Sequence, residues 1–158
     1  MLGLAYNYFC KVKLTMNNLS ASLEDYLEII CNLIEDNGGA KAVEIAKKFN
    51  ISRASVSEAL SKLADKDLII YEGHKGIRIT EKGLERAKKV IQRHNTLTDF
   101  FENTLCIDKE TAENNACKIE HVISDDVFER LELFQKFCRD NNDLIDLFKK
   151  GCKKNKKK

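Results

Sequence analysis

Apolar positions fall into spaced stripes, broken by Gly, Asn and Asp. Leu23, Tyr26, Leu27, Ile30, Leu33 and Ile34 recur three or four apart, which predicts an amphipathic helix over residues 19–36. Asn37-Gly38-Gly39 supplies its stop. Residues 41–49 predict a short second helix packed through Val43, Ile45, Ala46 and Phe49. Asn50-Ile51 forms a turn, Ser52 an N-cap, and residues 53–66 a third helix with Val56, Leu60 and Leu63 inward. The period then drops to two: residues 67–71 and 77–80 predict strands around the turn Glu72-Gly73-His74-Lys75-Gly76.

Helical spacing returns at Thr80. Leu84, Ala87, Val90, Ile91, Leu97, Phe100 and Phe101 predict one long helix through Leu105, too long for a small domain to bury alone. Asp108 caps a further helix. Ser124-Asp125-Asp126 caps another, expected to turn Val127, Phe128, Leu131, Phe134 and Phe137 inward. Residues 140–150 predict a last amphipathic turn or two. The expected fold is mainly α with a small β-hairpin wing. Its parts are a flexible extension over 1–18 (or a start at Met16), a winged helix-turn-helix over 19–82, a helical metal-binding and dimerisation domain over 83–148, and a disordered lysine-rich tail over 149–158.

Two short helices joined by a tight turn, then a hairpin, form a helix-turn-helix with a wing. The polar N-terminal face of the third helix carries Ser52, Arg53, Ser55, Ser57, Glu58 and Lys62. Small hydroxyls and an Arg at a helix start suit base edges and phosphates. Lys75 and Arg78 on the wing are placed to meet backbone phosphate.

Charge sharpens this division. The net charge is +2, but residues 41–93 hold 13 basic and 7 acidic side chains, and residues 94–148 hold 5 and 13. A basic middle suits DNA, and an acidic second half suits cations or another subunit. Six Cys without any C-x-x-C pair argue against a disulfide framework and fit a reducing cytoplasm. No apolar run approaches the roughly 20 residues of a membrane span.

One stretch carries metal chemistry. Cys117, Glu120 and His121 stand at i, i+3 and i+4, so a helix would put thiol, carboxylate and imidazole on one face. One turn seldom completes a site. Asp25 and Glu28 of the first helix, with His94 of the long one, are the candidate remaining ligands.

Residues 22–30 (Ser-Leu-Glu-Asp-Tyr-Leu-Glu-Ile-Ile), the winged helix, Arg93-His94 and residues 116–125 (Ala-Cys-Lys-Ile-Glu-His-Val-Ile-Ser-Asp) together resemble the metal-dependent repressors that include the diphtheria toxin repressor and the manganese transport regulator. The likeness spans about residues 19–137, in order. It implies a homodimer in which metal at the domain junction fixes two winged helices for a palindromic operator, repressing metal-uptake genes. It also implies metal ligands Asp25, Glu28, His94, Cys117, Glu120 and His121, and DNA-facing Ser52, Ser55, Ser57 and Glu58. The set is a hybrid. Cys117 matches the iron type where the manganese type has Glu, whereas Asp25 matches the manganese type where the iron type has Met. Thiolate favours Fe(II), Co(II) or Zn(II), and carboxylates favour Mn(II). The expected cofactor is therefore Fe(II) or Mn(II), with Zn(II) or Co(II) binding in vitro. The lost bridging Glu at 117 weakens a two-metal centre. Glu113 marks a weakened ancillary site, with Thr98 standing where a Glu is expected. The SH3-like third domain of longer members is expected to be absent.

Two rival readings differ in class. Cys117-x-x-Glu120-His121 has the spacing of one zinc protease motif, but the chain is expected not to be an enzyme. A metal-independent winged-helix repressor, sensing redox state or a small molecule, would use Cys117 or Cys106 as its thiol.

Overall fold

The computed structural model describes residues 19–72 and 76–155. Expectations for residues 1–18, His74, Lys75 and 156–158 lie outside the described residues. The elements are α1 (Ala21–Asn37), α2 (Ala42–Phe49), α3 (Arg53–Ala64), β1 (Ile69–Tyr71), β2 (Ile77–Ile79), α4 (Glu81–Asp99), α5 (Lys109–Ile119), α6 (Asp125–Asp140) and α7 (Asn142–Asn155). A π-helical turn, Phe100–Thr104, extends α4. The expected mainly helical fold with a hairpin wing is what the chain forms.

Caps set the boundaries. Ser20 accepts from Leu23 N–H to start α1, and Gly38 stops it in the left-handed region at φ 72°. Ser52 caps α3 through Ser55 N–H, and Asn50 closes α2 at φ 55°. The hairpin is shorter than expected because Asp67 sits at φ 59°, which no strand residue adopts. Pairing begins at Ile69 opposite Ile79. Thr80 is likewise no strand residue: its hydroxyl donates to Asp67 O at 2.8 Å and accepts from Gly83 N–H at 3.0 Å, joining hairpin to α4.

α1, α2, α3 and the hairpin close one core, in which Leu27, Ile30, Ile45, Val56, Leu60 and Leu63 are fully buried. Each such side chain contributes about 1.5–3 kcal/mol. Val43, expected to pack here, is half exposed, because α2 turns Ile45 and Ala46 into the core instead. α4 enters against this core at Gly83, where a Cβ would fall 1.9 Å from Leu68 O. It then leaves the core and packs on α5.

Three expectations for the second half are corrected. α5 ends at Ile119, with Glu120 as its C-cap and His121 in the following turn, so the ligand stretch straddles a helix end. On α6 only Phe128 of the expected inward apolar residues is buried and Leu131 is partly so; among the described residues Val127, Phe134 and Phe137 stay exposed, although Phe134 meets Phe100 edge to face. The last helix, α7, continues to Asn155 and takes in part of the expected disordered tail. Among the described residues, no helix is long and apolar enough to cross a membrane.

Candidate metal centre

α1, α4 and the end of α5 converge on Glu120, whose side chain is 1% exposed. A carboxylate buried this deeply is costly unless its oxygens are met by charge or hydrogen bonds. Oε2 lies 2.7 Å from His94 Nδ1. Oε1 lies 3.2 Å from His121 Nε2 without forming a hydrogen bond, and is orphaned among the described residues. Two groups of potential ligands share this one carboxylate: His94, Cys117 and Glu120, and Asp25, Glu120 and His121. Ligand atoms within each group lie within 4.8 Å of one another.

The spacing fits a divalent ion. Metal–ligand bonds of about 2.1 Å at right angles put neighbouring donors about 3 Å apart. His121 Nε2 lies 2.9 Å from Asp25 Oδ1 and 3.2 Å from Glu120 Oε1. In the other group, Cys117 Sγ lies 3.8 Å from His94 Nδ1, consistent with the longer bonds of sulfur. One group is hard (O, O, N), and the other offers a soft thiol.

Glu28 and Glu113 stand outside both groups. Glu28 is close enough that burial, and then the negative charge of Glu120, raise its carboxyl pKa above the usual range. Glu113 is exposed and lies 3.7 Å from Lys109, though its charge reaches His94 and Cys117. Thr98 Oγ1 is buried without a partner among the described residues.

Electrostatics across the centre show crowded negative charge. Burial is the main force raising Asp25, with His121 opposing it. Burial also pushes the Cys117 thiol up, reinforced by Glu120, Glu28 and Asp25. His94 is raised because Glu120 accepts its hydrogen bond. A cation among these groups would relieve each penalty, since metal binding requires the deprotonated ligands.

The sequence reading missed the supports around the ligands. Glu24, 4% exposed, receives Arg86 through Nε (2.9 Å) and Nη2, and lies 2.8 Å from His121 Nδ1. Arg93 donates to Glu120 O at 3.1 Å and pairs with Asp125, which Lys89 also meets. Arg86, Lys89 and Arg93 occupy one stripe of α4 at i, i+3 and i+7. That spacing was the available signal.

Among the proposed DNA-facing residues, Ser52 at the N-cap of α3 and Arg53, Ser55, Ser57, Glu58 and Lys62 along it are all exposed. Ser52 Oγ is already engaged as cap and lies 2.9 Å from Ser55 Oγ. Glu58 pairs with Lys62 at 2.7 Å, so its negative charge is offset on the same helix. Arg78 lies 3.7 Å from Glu72 on the exposed face of the hairpin.

Comparisons with known proteins agree with this layout. Residues 18–77 match the N-terminal DNA-binding domain of the iron-dependent repressors, and residues 80–143 match their metal-binding and dimerisation domain. The HTH-type transcriptional regulator MJ0568 of Methanocaldococcus jannaschii is 42% identical over 123 residues, covering 77% of this chain and 98% of that protein. The HTH-type transcriptional regulator MntR of Bacillus subtilis is 34% identical over 127 residues, covering 80% and 89%. The structure of the manganese regulator SloR aligns with a TM-score of 0.65 at 32% identity, covering 73% of this chain. This chain spans only about half of SloR, 54%. The chain belongs to the iron-dependent repressor family of metal-dependent, DNA-binding transcriptional regulators.

Proposed function

We propose that this regulator holds Mn(II) or Fe(II) between Asp25, His94, Cys117, Glu120 and His121, with Glu28 at the edge of the centre, and uses that metal to set its grip on DNA. The observation that carries the reading is Glu120: a buried carboxylate with one oxygen on His94 and the other orphaned beside His121 and Asp25. The metal supplies positive charge and directional bonds there. Asp25 belongs to α1 of the winged helix and His121 to the turn after α5, so the ligands come from both matched domains. Metal would favour whichever arrangement brings both ligand sets together, a population shift set by differential affinity.

Glu120 turns one oxygen to each group, so it would hold the metal from either side, while Cys117 in place of a bridging carboxylate weighs against a second ion. The oxygen-rich group suits Mn(II), and the thiol group suits Fe(II) or Zn(II). Glu113 is kept only as an outer contributor of charge. On DNA, Arg53, Ser55, Ser57 and Lys62 read the major groove, with Ser52 and Glu58 shaping that face, while Arg78 and Lys75 take phosphates. Two copies, joined through the uncovered face of α6, address a palindromic operator. Repression of metal-uptake genes in the cytoplasm is the matching physiological role.

A redox sensor at Cys117 is less favoured, since a sensor needs a stabilised thiolate, whereas desolvation and the nearby carboxylates Glu120, Glu28 and Asp25 raise this exposed thiol. The family is one of regulators rather than enzymes. The test is metal content and operator affinity measured anaerobically for wild type, Asp25→Ala and Cys117→Ser. Loss of binding in Asp25→Ala with a shifted metal preference in Cys117→Ser is expected. Unchanged metal content in both would remove the ligand assignment.

A further inference from the structure

We propose that Glu24, anchored by Arg86, is the positioning residue of the metal centre, holding His121 in the tautomer whose Nε2 faces the ion. This rests on the ligand assignment above. Glu24 precedes Asp25 on α1 and looks like one more acid of a helix first turn, yet it is buried. Its two oxygens have separate tasks. Oε1 takes two N–H groups of Arg86, which ties α1 to α4. Oε2 faces His121 Nδ1 at 2.8 Å, which ties α1 to the turn after α5.

Arg86 holds the Glu24 carboxylate as an acceptor, so the proton shared with the ring resides on Nδ1. The lone pair of the neutral ring is then on Nε2. That atom faces Asp25 Oδ1 at 2.9 Å and Glu120 Oε1 at 3.2 Å. Three acceptors turned toward one another need a proton or a metal ion between them. A carboxylate behind a ligating imidazole fixes its orientation and raises its basicity, and removing such a partner weakens metal affinity about 10–100-fold. Arg86 fixes the carboxylate in turn: its fork-like guanidinium holds Oε1, leaving Oε2 for the histidine. A plain structural ion pair would engage Glu24 and Arg86 alone and would not need the second oxygen aimed at the ring.

The test uses the full chain loaded with zinc as a probe. Long-range 1H–15N spectra of the histidine side chains report which ring nitrogen carries the proton. The expected spectrum shows His121 protonated at Nδ1 with Nε2 shifted by zinc. Zinc competition titrations are expected to show a loss of about 10–100-fold for Glu24→Gln and a smaller loss for Arg86→Lys, with zinc stoichiometry unchanged. His121 bound to zinc through Nδ1, or a Glu24→Gln affinity within about twofold of wild type, would overturn the positioning role. A His121 signal indifferent to zinc would instead overturn the ligand assignment and this role with it. The wild-type tautomer decides the matter even if Glu24→Gln fails to fold.

Discussion

The two halves of the chain satisfy their hydrophobic surface in different ways. From Leu19 to Thr80, α1, α2, α3 and the hairpin turn most of their large apolar side chains into one shared core. From Lys109 to Asn155, α6 and α7 leave Leu133, Phe134, Phe137, Leu144, Leu147 and Phe148 at least 45% exposed. Among the described residues, the first half covers most of its own apolar surface and the second does not. Leu133, Phe134 and Phe137 fall within the metal-binding and dimerisation domain matched over residues 80–143, where exposed apolar side chains suit an interface. α4 serves both halves: its start packs against Leu68 through Gly83, and its later turns carry Arg86, Lys89, Arg93 and His94 toward the candidate metal centre.

This contrast can be broken at its strongest point first. Gly83→Ala drives a Cβ into the Leu68 backbone, where no rotamer change relieves the clash. The expected loss is about 3 kcal/mol, read as a melting temperature lower by about 10 °C. Unchanged melting would mean that α4 does not bear on the first core. Next, Phe134→Asp with Phe137→Asp should weaken self-association by about 100-fold, on the order of 3 kcal/mol, while leaving the melting of the first half alone. Sedimentation equilibrium measures this; a dimer of wild-type strength would move the interface elsewhere.

A smaller effect concerns pH. Glu120 raises His94 above its ordinary value of 6.5. A histidine raised on folding stabilises the native state fully below the unfolded value, and that stability is lost as pH rises through the folded one. The metal-free protein should therefore unfold more easily as pH rises from about 6 through the raised His94 value. Zinc stabilisation should grow over the same range, because His94 and Cys117 surrender protons to the metal. Urea titrations with and without zinc test both signs, and parallel slopes would contradict them. The smallest effect is on DNA: Arg78→Ala should reduce the salt dependence of binding by about one ion without changing sequence preference. An identical slope would take Arg78 out of the phosphate contacts.

Much of the fold was legible because the period of apolar residues and the capping Ser, Asp and Gly agree along most of the chain. Ser52 opens α3 and Asn37-Gly38 closes α1, as the sequence indicates. Phe134 and Phe137 were misplaced because periodicity shows which face is apolar, not which molecule covers it. In the candidate site, the clustering of Asp25, His94, Cys117, Glu120 and His121 could be anticipated from ligand types and spacing. Glu24 could not. It hides beside Asp25 as a helix-start acid, and its partners are 62 and 97 residues away. Such a contact leaves no local pattern. The helix end at Ile119 was also unreadable, since Glu120 keeps helical dihedrals as the C-cap.

The most direct measurement is an anaerobic titration of a fluorescent operator duplex with wild type and Glu120→Ala, each in chelator and in Mn(II), Fe(II) or Zn(II). Among the described residues, Glu120 is the one common to both candidate ligand groups. The expected result is tight binding by wild type only with metal, and weak, metal-indifferent binding by Glu120→Ala with its winged helix still folded. Equal wild-type binding in chelator and metal, or a full metal response from Glu120→Ala, would contradict a centre built on this carboxylate.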